Sequence, residues 1–319
     1  MGIQFKRSES TGAGVRRVAS ELVTAAIEGV ERLASGETAL DSPQGASLIH
    51  ETRKRCKELR ALARLVRPGL GPSYRHTNRA ARDAARELGG VRDAQAQAAT
   101  FRRLVRADPT PGLARATAPV AVLLTERSLA AGRDVDVDLR RAAILLAGIR
   151  NDIDGWDLPG GFDLLAEGLR ETYSRGLRGL RGAERHRGPL LLHEWRKSVK
   201  YLWHQNQMLQ RSAPSLLGPT ADLLHRLADT LGDDHDLVGI GELLRSSEAE
   251  VLPEAAVVSS LVAIGVRRCD LRRRVLSVGS RLYVEEPEAY LARMEGYWRA
   301  WHEHGAEVPV GGIGDLPPG

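Results

Sequence analysis

The sequence predicts an all-α protein built by internal duplication. Three observations lead there. Ala, Leu, Arg and Glu fill long segments with helical periodicity, alternating Val/Ile/Thr runs are missing, and one cationic motif occurs twice. At 319 residues and 42% apolar content the chain can bury a substantial core, which excludes a wholly disordered protein.

Helix breakers set out the elements in order. A first helix runs from about Gly14 and closes at Gly36. Ser42-Pro43 opens a second, which reaches Arg67, because a Ser cap followed by Pro in the first turn suits a helix start. Pro68-Gly69 and Gly71-Pro72 make a tight connection to a third helix, which Gly89-Gly90 breaks or kinks after Leu88 before it resumes to about Ala107. Pro109, Pro111 and Gly112 precede a fourth helix over Leu113 to Ala131, and a short fifth spans Asp136 to Arg150. Asn151 to Gly161 is predicted as a loop and as the midpoint of the chain. The expected organisation is a first repeat over 14–150, a second over 161–304 and a disordered, Gly/Pro-rich tail over 305–319.

The duplication is read at one offset. His50, Glu51, Arg53, Lys54, Lys57 and Leu59 recur as His193, Glu194, Arg196, Lys197, Lys200 and Leu202. Further on, Leu88-Gly89 and Asp93 recur as Leu231-Gly232 and Asp236. On a helix, positions three, four and seven apart share a face, so His50, Arg53, Lys54, Lys57, Arg60 and Arg64 line one side of the second helix. Arg75, Arg79, Arg82 and Arg86 line one side of the third, and His193, Arg196, Lys197, Lys200 and His204 form the matching stripe in the second copy. Like charges at this spacing repel by a few tenths of a kcal/mol per pair, so an uncompensated run calls for a polyanion. Arg offers two-pronged bonds to phosphate, Lys a compact charge, and His a donor that gains charge as pH falls. A solvated face paired with neighbouring carboxylates is the plainer reading of one stripe, and the repetition favours a shared ligand. Asp93 and Asp236, each near the start of a resuming helix, are expected to serve structure or to orient a basic residue.

The bulk charge is mildly basic, 46 Lys+Arg against 41 Asp+Glu, so concentration rather than excess carries the argument. Two cysteines, Cys56 and Cys269, make no disulfide framework, and Met1 to Thr11 lack the apolar core of a secretory signal. No apolar stretch approaches about 18 residues. An intracellular, cytoplasmic protein is expected.

The repeated His-x-x-Arg-Lys-x-x-Lys-x-Leu, with Leu88-Gly89-x-x-Arg92-Asp93 after the first copy, resembles the CHAD family (conserved histidine α-helical domain) over roughly Gly14 to His304. The resemblance implies two pseudo-symmetric four-helix bundles whose basic faces line a central groove or pore. It also implies binding of inorganic polyphosphate there and association with polyphosphate granules. By motif position the ligand contacts would be His50, Arg53, Lys54, Lys57, Arg60, His193, Arg196, Lys197 and Lys200, to which the stripes add Arg75, Arg79, Arg82, Arg86 and His204. The second copy departs from the family: Leu202 is followed by Trp203-His204, and Asp233-Asp234-His235-Asp236 stands where the first copy has Gly90-Val91-Arg92-Asp93. Asp222, His225 and Asp229 fall opposite Arg79, Arg82 and Arg86, so the first half is expected to contribute more affinity.

The same residues admit rival functions. The triphosphate tunnel domain fused to some relatives needs Glu-x-Glu-x-Lys, and Glu248-Ala249-Glu250 lacks the lysine. A metal-dependent phosphohydrolase could draw on His204, His235, Asp236 and Asp270, but the repeat equivalents of the two histidines are Ala61 and Arg92. Single-stranded nucleic acid would use the same charges together with aromatic platforms, which are absent from His50 to Arg67 and represented elsewhere by Trp156, Trp195, Tyr201 and Trp203. A scaffold docking an acidic protein is a third alternative. The expectation is a non-enzymatic polyphosphate binder needing no cofactor or metal.

Overall fold

The computed structural model describes residues 3–40, 42–131, 135–186 and 188–307. Among them every regular element is helical. The elements are α1 (Thr11–Ala34), α2 (Pro43–Leu65), α3 (Arg67–Leu70), α4 (Pro72–Glu87), α5 (Gly89–Ala107), α6 (Leu113–Ala116), α7 (Ala118–Ala130) and α8 (Val135–Ile153). They continue as α9 (Asp163–Arg185), α10 (Pro189–Leu209), α11 (Pro214–Leu243), α12 (Glu254–Leu282) and α13 (Pro287–His304). None is long and apolar enough to cross a membrane.

Local chemistry accounts for the boundaries. Ser42 Oγ accepts from the Gly45 N–H at 2.9 Å while Pro43 occupies the first turn of α2, where its missing N–H is harmless. Gly36 adopts φ +77° just beyond α1, a left-handed conformation that glycine enters without penalty. Leu88 leaves helical geometry at the expected Leu-Gly break, separating α4 from α5. The sequence pattern predicts one helix from Leu113 to Ala131. Thr117 instead divides it into α6 and α7, its hydroxyl donating back to Leu113 O at 2.9 Å.

The midpoint loop is shorter and more buried than expected. Helix α8 continues to Ile153, and Trp156 and Leu158, at 4% and 8% exposure, join the core. The start of the expected disordered tail is tied down, since Glu307 accepts from the Ser215 N–H at 3.0 Å at the head of α11. Residues 308–319 lie outside the described residues.

Packing does not divide the chain at its midpoint. Helices α1, α2, α4 and α8 pack on one another, and α10 lies between α9 and α11. One apolar cluster nevertheless runs from Val18 and Leu22 through Leu59 and Leu62 to Trp195, Leu202 and Trp298. A second joins Phe101 and Leu124 of the first half to Ile240, Leu243 and Ile264 of the second. Each large side chain so buried contributes roughly 1.5–3 kcal/mol, so apolar packing joins residues of both halves. Between them α2 meets α10, where buried Gln205 donates to Ala61 O at 3.3 Å and to Thr172 Oγ1 at 3.2 Å.

Candidate functional site

From α2, His50, Arg53 and Lys57 enter one cavity of about 850 Å³, and from α10 the duplicate residues His193, Arg196 and Lys200 enter the same cavity. The shared i, i+3, i+7 spacing puts each set on one helix face, and the meeting of α2 with α10 brings the two faces together. Helices α5 and α11 supply the rest of the lining, including Asp93, Thr100, Arg103, Asp229, Asp233, Asp236 and Glu242. Five Lys and Arg therefore share this space with five carboxylates, and its charge is segregated by wall rather than uniformly basic.

Several of the carboxylates are committed. Arg53 donates from Nη1 to Ala85 O at 2.9 Å and from Nη2 to Asp93 Oδ1 at 3.1 Å, so Asp93 orients the first-copy arginine as its sequence position suggested. Arg103 bridges Asp233 Oδ1 at 2.6 Å and Thr100 Oγ1 at 2.9 Å, and Thr100 donates to Asp236 Oδ2 at 2.9 Å. The expected second break does not form, because α11 runs unbroken through Leu231-Gly232 and Asp236 lies within the helix rather than near a start, but the repeated Leu-Gly pair gains a physical role. A Cβ on Gly89 would lie 3.1 Å from Arg53 Nη1, and one on Gly232 would lie 3.1 Å from Arg196 Nη2. Each guanidinium thus rests against a backbone stripped of its side chain.

The second-copy cations are the more desolvated. Burial pushes the Lys200 ammonium well below the usual lysine range, helped by Arg196 and Lys57, and burial likewise lowers Arg196 against the opposing pull of Asp236 and Asp229. Among the described residues Lys200 makes no hydrogen bond or ion pair, although it lines the cavity. His193 is brought down to about 4, first by burial and then by His235, whose ring centroid lies 4.3 Å away. Its Nδ1, and Nε of Arg196, are buried without a hydrogen-bond partner. Buried donors and charges left in this condition are costly, and an anion in the cavity would satisfy them.

The expected continuous stripe is divided. On α10, Glu194, Lys197, Ser198 and Tyr201 alternate along the helix with His193, Arg196 and Lys200, so Lys197, with Arg60 of α2, lines a separate cavity of about 200 Å³. Arg82 and Arg86 border a third depression with Glu87 and Arg141, while Arg75 and Arg79 are exposed. Lys54 lies 3.7 Å from Glu51 on its own helix. His204 does not join the others. It is 1% exposed, brought down to about 3 by burial, and its ring stacks on Trp203. Helical spacing placed it on the stripe, but packing around α10 encloses that end of the helix.

Sequence reading missed Thr100, Arg103 and Asp233. Asp93, Gln97, Thr100 and Arg103 do share one helical face, a signal that same-face spacing carries, but which partner that face meets is settled by α5 packing on α11. The aromatic rings are engaged: Trp195 and Trp156 are 1% and 4% exposed, Trp203 stacks on His225 at 4.2 Å, and Tyr201 lies under the Arg64 guanidinium at 4.5 Å. Asp270 pairs with Arg274 at 2.9 Å and Arg267 at 3.1 Å on its own helix. Among the described residues no three His, Cys, Asp or Glu side chains group as a metal site would require. Against known families, the model of the CHAD domain matches residues 17–245, and no curated protein matches the chain.

Proposed function

The chain belongs to the CHAD family, and on that premise we propose that it binds inorganic polyphosphate without turning it over, in a groove between two pseudo-symmetric helical bundles. The observation that carries the reading is the convergence of the duplicated cations on one cavity, where half-buried Lys200 feels Asp229 and Asp236 only at a distance and is in no described hydrogen bond or ion pair. A phosphate chain lying along the α2–α10 wall would return to Lys200, Arg196 and His193 the hydrogen bonds that burial removes. The opposite wall tolerates it because Asp93 and Asp233 are held by arginines and Asp236 by Thr100.

Polyphosphate is favoured over single-stranded nucleic acid because Trp156, Trp195, Tyr201 and Trp203 are buried or stacked, leaving no ring of this set as a base platform. Binding without turnover is supported by the residue types that duplicate: the motif multiplies charges and donors, whereas the repeat equivalents of His204 and His235 are Ala61 and Arg92, neither of them a metal ligand. A cytoplasmic protein associated with polyphosphate granules is the setting this reading implies.

A salt-series competition between long-chain polyphosphate, single-stranded RNA and heparin tests it. Affinity should fall with salt at a log–log slope of about 0.7–0.9 per phosphate neutralised, on nucleic-acid precedent, with polyphosphate preferred at every salt. Equal affinity for RNA and polyphosphate at matched salt defeats the assignment. Sustained phosphate release in a metal-supplemented assay defeats its non-catalytic part.

A further inference from the structure

The smaller cavity, which takes Arg60 from α2 and Lys197 from α10, carries a different balance of charge. It takes up about 200 Å³ and is lined by Arg60, Arg64, Arg67, Arg175 and Lys197 against only Glu171 and Glu194. Five cations face two carboxylates, whereas the large cavity balances five against five.

The carboxylates are fully occupied. Glu171 accepts from Arg175 at 2.6 Å and from Arg67 at 3.4 Å, and Glu194 pairs with Lys197. Arg60 and Arg64 have no carboxylate partner among the described residues. Arg60 Nε donates to the neutral Asn78 Oδ1 at 3.2 Å, and Arg64 Nε is buried with no hydrogen-bond partner at all. Both guanidiniums sit over the Tyr201 ring, at 5.7 and 4.5 Å from its centroid, which fixes two like charges side by side. Burial, with Arg64 and Arg82 nearby, lowers the affinity of Arg60 for its proton. Thr172, Ser198 and Tyr201 add hydroxyls to the lining.

We propose that this cavity is a second, separate anion site that takes a compact phosphate group, either free pyrophosphate or the terminal phosphates of a polyphosphate chain. The size excludes a long chain segment, and planar guanidiniums match phosphate oxygens better than they match a diffuse counter-ion. Tyr201 is covered by arginine, so a nucleobase has no ring to stack on. The site deepens the polyphosphate reading in its choice of ligand, but it uses different residues from the large cavity and stands or falls separately.

The test is calorimetric titration of pyrophosphate into the full chain and into Arg64→Gln, Arg175→Gln and Lys200→Gln, each checked for unchanged helical signal and Tm. Two pyrophosphate sites should be resolved: the one at Arg64 should weaken about tenfold or more in Arg64→Gln and less in Arg175→Gln, and should persist in Lys200→Gln, whose loss is confined to the other site. Arg175, at 45% side-chain exposure, keeps the test open should Arg64→Gln unfold. Linear polyphosphate and polyphosphate blocked at both ends then separate the sources. Selective weakening of the unblocked chain by Arg64→Gln assigns the site to chain ends, and equal behaviour of both chains assigns it to free pyrophosphate. Unchanged pyrophosphate binding in both arginine variants, or loss of the Arg64-dependent site in Lys200→Gln, overturns the proposal. If long-chain binding proves independent of Lys200 while pyrophosphate still depends on Arg64, the large-cavity reading fails and this one survives.

Discussion

The same eight-residue motif stands on α2 and on α10, and the two copies are held in unlike ways. On α2, Arg53 is fixed by a carbonyl and by Asp93, and His50 at the head of the stripe is exposed. On α10, Lys200 and Arg196 are deep enough that burial lowers both, and His193 has lost most of its tendency to charge. The first half has more cations, continued by Arg75, Arg79, Arg82 and Arg86, but these lie at the surface. Number and leverage are therefore separated. Exposed cations add long-range attraction that salt screens, whereas desolvated ones gain most when an anion arrives.

The comparison can be broken most forcefully by reversing Lys57 and Lys200 to Glu together. Polyphosphate binding by fluorescence anisotropy should weaken about a hundredfold or more, the scale set by disrupting buried charge pairs, and a residual affinity within about tenfold of the parent would remove the cavity from the site. Next come the single changes Lys57→Gln and Lys200→Met. Lys200→Met should weaken binding about tenfold and raise the Tm of the free protein, because desolvation of this charge outweighs its attraction to Asp229 and Asp236. If Lys57→Gln weakens binding more and Lys200→Met leaves Tm unchanged, the distinction in leverage is wrong.

A smaller effect is expected from replacing Arg75, Arg79, Arg82 and Arg86 by Gln together. Affinity at low salt should drop by less than about tenfold, and the log–log salt slope should flatten by roughly 0.7–0.9 for each phosphate that is no longer neutralised. An unchanged slope would show that these arginines do not touch the chain. The smallest effect is that of pH. His193 is at about 4 in the folded protein and about 6.5 when unfolded, so the native state binds fewer protons between those values. Its contribution to stability is complete above about 6.5 and is lost as pH falls toward 4, and His204, brought down to about 3, acts in the same direction. A bound polyanion favours the charged ring and raises it from about 4, so affinity should rise as pH falls toward that value, and His193→Gln should flatten that rise. Titrations of the parent and His193→Gln between pH 7.5 and 4.5, giving parallel curves, would assign the dependence elsewhere.

Much of the fold was legible from Ser42-Pro43, Gly36 and Leu88-Gly89, since caps and breakers act within a few residues of themselves. The split of the fourth helix at Thr117 and the burial of Trp156 were not. The first turns on a hydroxyl competing for Leu113 O, the second on what packs over the loop. Among the site residues, His50, Arg53, Lys57, His193, Arg196 and Lys200 were found by spacing and meet in one cavity. Arg60 and Lys197 were found by the same spacing and went to another, and His204 was enclosed.

The sequence by itself determined that the chain is helical, that a cationic motif occurs twice, and which residues share a helix face, because periodicity and turn chemistry are local properties. Only the tertiary structure decided that α5 crosses to pack on α11, that carboxylates enter the large cavity in equal number with cations, and that Lys200 is desolvated where the exposed arginines are not. Burial and charge balance depend on which faces meet across long sequence separations, and a residue's chemistry follows from its neighbours in space as much as from its type.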